Sequence, residues 1–301
     1  MNEPDKWWIK ISKAQWTVAA LAVAVFLYGL LLHRNLWRSA GMFLGIPTIL
    51  AILLALKPKA RTVTGGILTG ITLALLIAAP LVGEGYLCIL MASPLFYLVG
   101  VIVGLAVDSE RRSRKRTLSC LAVVLLPMCL EGVVPQWAFN RSQSAEVTKV
   151  VPAGAEEVER ALAGSLRVDT PLPRFLRIGF PRPLAAHGEG MSAGDTRTIH
   201  FAGAEGDPPG DLTLRVAERR DGYVRFVTVG DTSKLTQWLQ WGGSEVQWKM
   251  LDASHTAVTW RIHFHRQLDP AWYFTWLEQA AVRDAAAYLI DANATPLEAS
   301  R

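Results

Sequence analysis

A break in composition near Asn140 constrains this chain more than any other feature. Before it, long apolar runs alternate with short charged loops; after it, the text is mixed and alternating, with apolar and polar residues interleaved to Arg301. The averages, 51% hydrophobic and 19% charged, hide two populations. A chain of 301 residues built this way is expected to be a multi-span membrane anchor fused to a folded domain.

A bilayer-crossing helix needs about 20 apolar residues. Five stretches qualify: 16–32, 40–56, 63–82, 86–107 and 118–137. The first is too long, and followed by too many others, to be a cleaved leader. Gly83-Glu84-Gly85 is all that separates the third from the fourth, so these two form a hairpin. Lys and Arg in short loops set the orientation. One side collects eleven of them, Lys6, Lys10, Lys13, Lys57, Lys59, Arg61, Arg111, Arg112, Arg114, Lys115 and Arg116. The other collects three, Arg34, Arg38 and Arg141. The N-terminus is therefore expected in the cytoplasm and the C-terminal domain outside it, periplasmic if the membrane is a bacterial inner membrane. The formal charge of +5 belongs largely to these loops and does not point to nucleic acid. Glu84 and Glu131 fall on the outer side as candidate functional carboxylates, since ionisable groups at membrane depth are costly. Cys88 and Cys129 fall there too, as buried thiols or as a pair.

Residues 139–144 read as a short linker and 145–301 as one domain. Strand patterns begin at 146–151. A helix follows at 155–163, with Glu156 and Glu157 in its first turn where carboxylates suit the helix dipole. Residues 166–183, rich in Pro and Arg, read as irregular or as a short helix. Antiparallel strands are expected at 197–201, 211–217, 223–229, 245–251 and 256–265, with Asp221-Gly222 marking a hairpin turn. In the last strand Val258, Trp260, Ile262 and Phe264 share one face, while Thr259, Arg261, His263 and His265 share the other. Asp269-Pro270 then opens a long helix to about Asn293, with Asp as the N-cap and Pro at the first helical position.

This order resembles the polyketide cyclase/START-like (SRPBCC) superfamily, whose helix-grip fold wraps an antiparallel sheet on a terminal helix. The resemblance rests on Val150-Val151-Pro152-Ala153 with Glu157-Val158, on the stretch 190–201 with its Gly-Asp-x-Arg, and on 256–264 followed by 270–289. It covers nearly all of 145–301 and carries no catalytic signature. The expected class is thus a membrane all-α bundle plus an α+β helix-grip domain. The resemblance implies a hydrophobic pocket between sheet and helix, for which Phe226, Trp248, Trp260, Ile262, Phe264, Tyr273, Phe274, Leu277 and Ala281 are the candidate lining residues. Small residues at mid-helix, Ala280, Ala281 and Ala285, are compatible with a hollow.

Catalytic residues are not identifiable. There is no Walker loop, HExxH, GxSxG or CxxC. His263 and His265, about 7 Å apart by strand rise, make half a metal site or supply a general base, on what reads as the solvent face. His187 and Glu189 lie in a glycine-flanked loop without a nameable partner. No metal and no cofactor is expected. The leading expectation is membrane-anchored binding of a hydrophobic small molecule or lipid, with membrane lipids as the other partner. The alternatives are a cyclase- or hydratase-type enzyme on a lipid-soluble substrate, and an interaction or regulatory protein without a ligand. The stretch 235–243, with Trp238 and Trp241, is the expected membrane-facing patch of that last reading.

Overall fold

A computed structural model describes residues 62–82, 86–113, 131, 139–203 and 208–294. The chain divides into two compact units, Met1–Leu125 and Leu126–Arg301.

In the first unit α1 (Val63–Val82) and α2 (Tyr86–Ser113) form an antiparallel pair. Both fall where sequence expects the third and fourth spans, though α2 runs past residue 107. Asp108, near the end of α2, accepts hydrogen bonds from the Val63 and Thr64 amides at 3.0 and 3.1 Å and from the Thr64 hydroxyl at 2.6 Å. It thereby satisfies amides that the first turn of α1 leaves without an intrahelical partner. Gly100 and Gly104, four residues apart, let the helices close up. A Cβ at Gly104 would stand 2.6 Å from the Thr64 Cα, and one at Gly100 would stand 2.4 Å from the Ile71 side chain. Thr72 and Tyr97 share a hydrogen bond of 2.7 Å across the pair. Among the described residues one helix, Ile89–Ser109, is long and apolar enough to cross a bilayer, and Val63–Leu76 is a shorter apolar helix. Of the two expected spans that fall on described residues, one holds a qualifying helix. The expected spans 16–32, 40–56 and 118–137 lie outside the described residues, except for Glu131, as do Glu84 and Cys129. Cys88 lies in α2, with its side chain outside them.

The second unit is a seven-stranded, fully antiparallel sheet in the order β1-β7-β6-β5-β4-β3-β2. Its strands are β1 (Ser142–Val151), β2 (Pro183–His187), β3 (Thr196–Phe201), β4 (Gly210–Arg220), β5 (Tyr223–Asp231), β6 (Leu239–Asp252) and β7 (His255–Arg266). The first strand pairs with the last, and a 23-residue helix, α4 (Ala271–Asn293), packs on both of them. A curled antiparallel sheet carrying one long C-terminal helix is the helix-grip arrangement. β1 begins at Ser142, inside the expected linker, and β2 is a strand that the Pro/Arg-rich text did not announce.

Alternation explains which face is buried. On β7, Val258, Trp260, Ile262 and Phe264 are all at least 96% buried, and the intervening residues point outward. β6 alternates too, but changes phase. Leu239 and Trp241 face inward at odd positions; Ser244, Val246 and Trp248 face inward at even ones. The register slips between Trp241 and Gly243, a β-bulge that re-aims the strand. Gly243 permits it. Its φ of +146° suits glycine, and a Cβ there would meet the Phe226 carbonyl at 2.5 Å. The Asp221-Gly222 turn forms as expected, with Gly222 at φ +66°.

The short helix α3 (Ala155–Ala163) closes one end of the sheet. Val158 and Leu162, four residues apart, are its buried stripe. Each such side chain contributes about 1.5–3 kcal/mol on full burial. The start of α4 differs from expectation. Its N-cap is Pro270, and the Asp269 carboxylate accepts from Arg141 and Arg266 instead of capping the helix. The Ala271 amide donates to Glu131 Oε1 at 2.8 Å. Glu131 therefore belongs to the second unit, in a bridge rather than in the last turns of a helix.

Candidate functional site

A cavity of about 100 Å³ lies between the sheet and the C-terminal half of α4. Its floor comes from β3 to β7, through Ile199, Leu212, Leu214, Phe226, Trp241 and Trp260. Its roof is one face of α4, through Ala281, Ala285, Tyr288 and Leu289. The segment 166–181 covers its side with Leu166, Leu172, Leu176 and Phe180.

The hollow has a sequence cause. In the first turns of α4, Tyr273, Phe274 and Leu277 are large and pack solidly, and the Tyr273 and Phe274 rings meet edge-on at 4.9 Å. Further along, Ala281 and Ala285 take up positions on the same buried side and leave space above the sheet. The covering segment is tied to the helix rather than free. Arg167 donates to the carbonyls of Ala292 at 3.1 Å and Asp291 at 2.6 Å. These belong to the last turn of α4, whose carbonyls have no partner inside the helix. Phe180 packs edge-on against Trp238 at 5.4 Å and lies 5.7 Å from Phe175.

Of the nine expected lining residues, the structure brings Phe226, Trp260 and Ala281 together around the cavity. It places the other six in the core beyond it. Trp248 packs under the Arg219 guanidinium at 4.8 Å, and Arg219 in turn pairs with Glu159 of α3. Ile262 and Phe264 lie farther along β7, and Tyr273, Phe274 and Leu277 fill the opening turns of α4. The expected pocket therefore shifts toward the C-terminal half of the helix, because bulky side chains occupy the N-terminal half.

The expected membrane-facing patch at 235–243 is also corrected. Trp238 is 3% exposed and Trp241 8%. The bulge in β6 and the covering segment turn both indoles inward. Among the described residues the exposed indoles are instead Trp272 and Trp276, at 49% and 56%, four residues apart on α4.

The cavity is apolar but contains selected polar groups. His187 and Gly188 form an exposed rim. Arg197 of β3 lies with its guanidinium 5.2 Å from the Phe226 ring. Its Nη2 donates to the carbonyls of Leu162 and Gly190, at 2.6 and 2.7 Å. Burial pushes this guanidinium below its usual pKa, with Asp195 and Glu189 pulling it back up. Asp195 of the Gly-Asp-x-Arg stretch shapes the approach to β3. It accepts from the Ser192 amide at 2.8 Å, and a Cβ at Gly190 would meet its carboxylate at 2.2 Å. Burial pushes the Tyr288 phenol up to about 12, with Asp169 adding to the shift, so it stays neutral.

Among the described residues, five buried polar atoms on lining residues have no hydrogen-bond partner. They are Arg197 Nε, Trp241 Nε1, Ser244 Oγ, Trp260 Nε1 and Asn293 Oδ1. Buried polar groups are nearly always paired, and each unpaired one costs about 1–3 kcal/mol. Ser244 is the residue that sequence reading missed outright. Its signal was the glycine pair Gly242-Gly243 just before it, which marks a bulge.

The outer face of the sheet is different in kind. His263 Nε2 meets Glu245 Oε1 at 3.1 Å, and His265 Nδ1 lies 3.4 Å from the Ser142 hydroxyl. Arg261 bridges Glu146 and Glu245. This is a surface ion-pair network, worth little per pair. Among the described residues no group of three His, Cys, Asp or Glu side chains is placed to hold a metal ion.

No family model matches the chain, and no curated protein matches it. Solved structures do. The Zhui aromatase/cyclase from Streptomyces sp. R1128 aligns at 17% identity over 50% of this chain and 86% of its own, with a TM-score of 0.30. A major latex-like protein from Panax ginseng aligns at 14% identity over 50% and 99%, with a TM-score of 0.29. A truncated norcoclaurine synthase from Thalictrum flavum aligns at 11% identity over 53% and 96%, with a TM-score of 0.37.

Proposed function

We propose that the C-terminal domain binds a compact hydrophobic molecule in the cavity under α4, and that the apolar N-terminal unit anchors it to a membrane. The observation that carries the first part is the cavity itself: an apolar chamber with few polar groups and a polar rim, the usual make-up of a small-molecule site. Its size limits the ligand. About 100 Å³ is smaller than the roughly 150 Å³ engineered cavity that admits benzene. The ligand is therefore no larger than a single ring, or is one segment of a longer chain.

The anchoring is supported by the first unit. α2 exposes Leu90, Phe96, Leu98, Val99 and Leu105, an apolar surface that suits lipid better than water. The exposed Trp272 and Trp276 suit a headgroup layer. An apolar ligand concentrates in the bilayer, so tethering the cavity there raises its effective concentration. The eleven-to-three distribution of Lys and Arg puts the domain on the non-cytoplasmic side, periplasmic in a bacterium. A C-terminal reporter active only outside the cytoplasm is expected to be active; activity only from a cytoplasmic reporter overturns this side.

Ala281→Leu tests the binding. The added carbons fill the roof of the cavity without introducing polarity. Full-length protein purified in parallel is expected to carry an apolar small molecule by extraction and mass spectrometry in the wild type and to lose it in the variant. Equal recovery from both, or none from either, sinks the reading. A second reading, an enzyme acting on such a ligand, is favoured by His187 on the rim, since an imidazole there suits proton transfer.

A further inference from the structure

Three exposed aromatic side chains gather where the chain enters the second unit. Phe139, 66% exposed, lies two residues before Arg141, whose guanidinium pairs with Asp269 at the start of α4. Trp272 and Trp276 follow on the first two turns of that helix, with the Tyr273 ring edge-on to both, at 5.8 and 6.2 Å. Among the described residues of this unit, no other Phe, Tyr or Trp is exposed. The remaining exposed large apolar residues are Val150, Ile178, Leu184, Val229, Met250 and Leu251. The two indoles belong to a stripe. At 3.6 residues per turn, Trp272, Trp276, Gln279 and Arg283 fall within about 60° of one another on α4, and Arg283 ends the stripe with an exposed cation. The same end of the unit is joined to the apolar run 118–137. Glu131, inside that run, accepts from the Ala271 amide at 2.8 Å, one residue before Trp272.

We propose that this end of the second unit, Phe139 with the Trp272 and Trp276 face of α4, docks on the headgroup layer of a phospholipid bilayer. This rests on the reading of the N-terminal unit as a membrane anchor and adds the face by which the second unit meets lipid. Indoles favour the boundary between hydrocarbon and water, where the ring is apolar and the N–H stays wet. Arg283, on the same stripe, suits lipid phosphate. The attachment selects the bilayer over other occupants. Glu131 ties the apolar run to the first turn of α4, so a membrane that holds the run stands beside the indoles. Tyr273 packs against both rings, so little side-chain freedom is lost on docking. The roof of the cavity begins at Ala281, nine residues beyond Trp272 and about 14 Å along the helix. Docking by this face therefore keeps the cavity close to lipid.

The test uses full-length protein labelled with 5-fluorotryptophan in phosphatidylcholine nanodiscs, with two paramagnetic probes added separately. One is a nitroxide on the lipid headgroup; the other is a water-soluble gadolinium chelate. The ¹⁹F signals of Trp272 and Trp276 are assigned from the W272F and W276F variants, and that of the buried Trp260 from W260F. The lipid nitroxide is expected to broaden both exposed indoles at least about twofold more than Trp260. Broadening by the chelate alone places the face in water. Broadening by neither probe places it under protein, whether a second copy or another segment of the chain. Either result overturns the docking and leaves the anchoring intact. Protein that fails to enter the nanodiscs overturns both readings.

Discussion

The two ends of α4 treat buried polarity in opposite ways. At its N-terminus the buried groups are ionisable and mostly knotted together. Arg266, fully buried, donates to the Leu268 carbonyl, to Asp269 Oδ1 at 2.5 Å and toward Glu131 Oε1 at 3.5 Å. Glu131 also takes the Ala271 amide, and Arg141 takes Asp269. Glu278 is 2% exposed, with Oε1 toward the Leu268 amide at 3.4 Å and Oε2 unpartnered. At the C-terminal half the unpartnered atoms are on neutral side chains and one arginine, all on residues that line a mostly apolar space. The knot's groups pair with one another, so their polarity serves the fold. The cavity has space lined mostly by apolar side chains, so it suits an apolar ligand.

Breaking the knot gives the largest effect. Arg266→Met is expected to destabilise the second unit by about 3–5 kcal/mol, because it leaves the buried Glu131 carboxylate without its cation and leaves Asp269 with Arg141 alone. Denaturant unfolding of the full chain measures this. A loss below about 1 kcal/mol would mean that the knot is decoration and that the contrast between the two ends is false.

Glu278 sharpens the contrast with a smaller effect. Burial pushes its carboxyl up to about 8; the Leu268 amide and Arg266 pull it down, and Asp269 pushes it further up. The group is thus protonated in the folded protein at neutral pH and ionised when unfolded. The unfolded state then holds fewer protons, so wild-type stability falls as pH rises from about 4.5 toward 8 and levels off above that. Glu278→Gln keeps the shape and removes the titration. It is expected to gain on the wild type between pH 5 and pH 8 by at least about 1.4 kcal/mol, the worth of one pKa unit. Parallel pH profiles for the two proteins would show that Glu278 is ionised in the fold. The cavity substitution Ala281→Leu belongs at the small end of the stability scale, since it fills existing space and breaks no hydrogen bond.

Much of the second unit was legible because local chemistry and global fold agree there. The period-two pattern of β7, the Asp221-Gly222 turn and the long run to Asn293 each carry their own signal, and the structure keeps all three. The failures have a common origin in partners distant along the chain. Asp269 looks like an N-cap, but Arg141, 128 residues away, takes its carboxylate. Glu131, 140 residues from Ala271, caps the helix instead. Trp241 looks like a loop aromatic until the bulge at Gly243 turns it inward.

By itself, then, the sequence determined the two-part composition, the strand alternation of the second part and its grip helix, because these follow from hydrophobic period and turn chemistry within a few residues. Only the tertiary structure decided where the hollow falls along α4 and which polar atoms around it stay unpaired. A cavity is the space left between side chains from β3 to β7, α4 and the segment 166–181, and no local stretch of sequence records what its distant neighbours fail to fill.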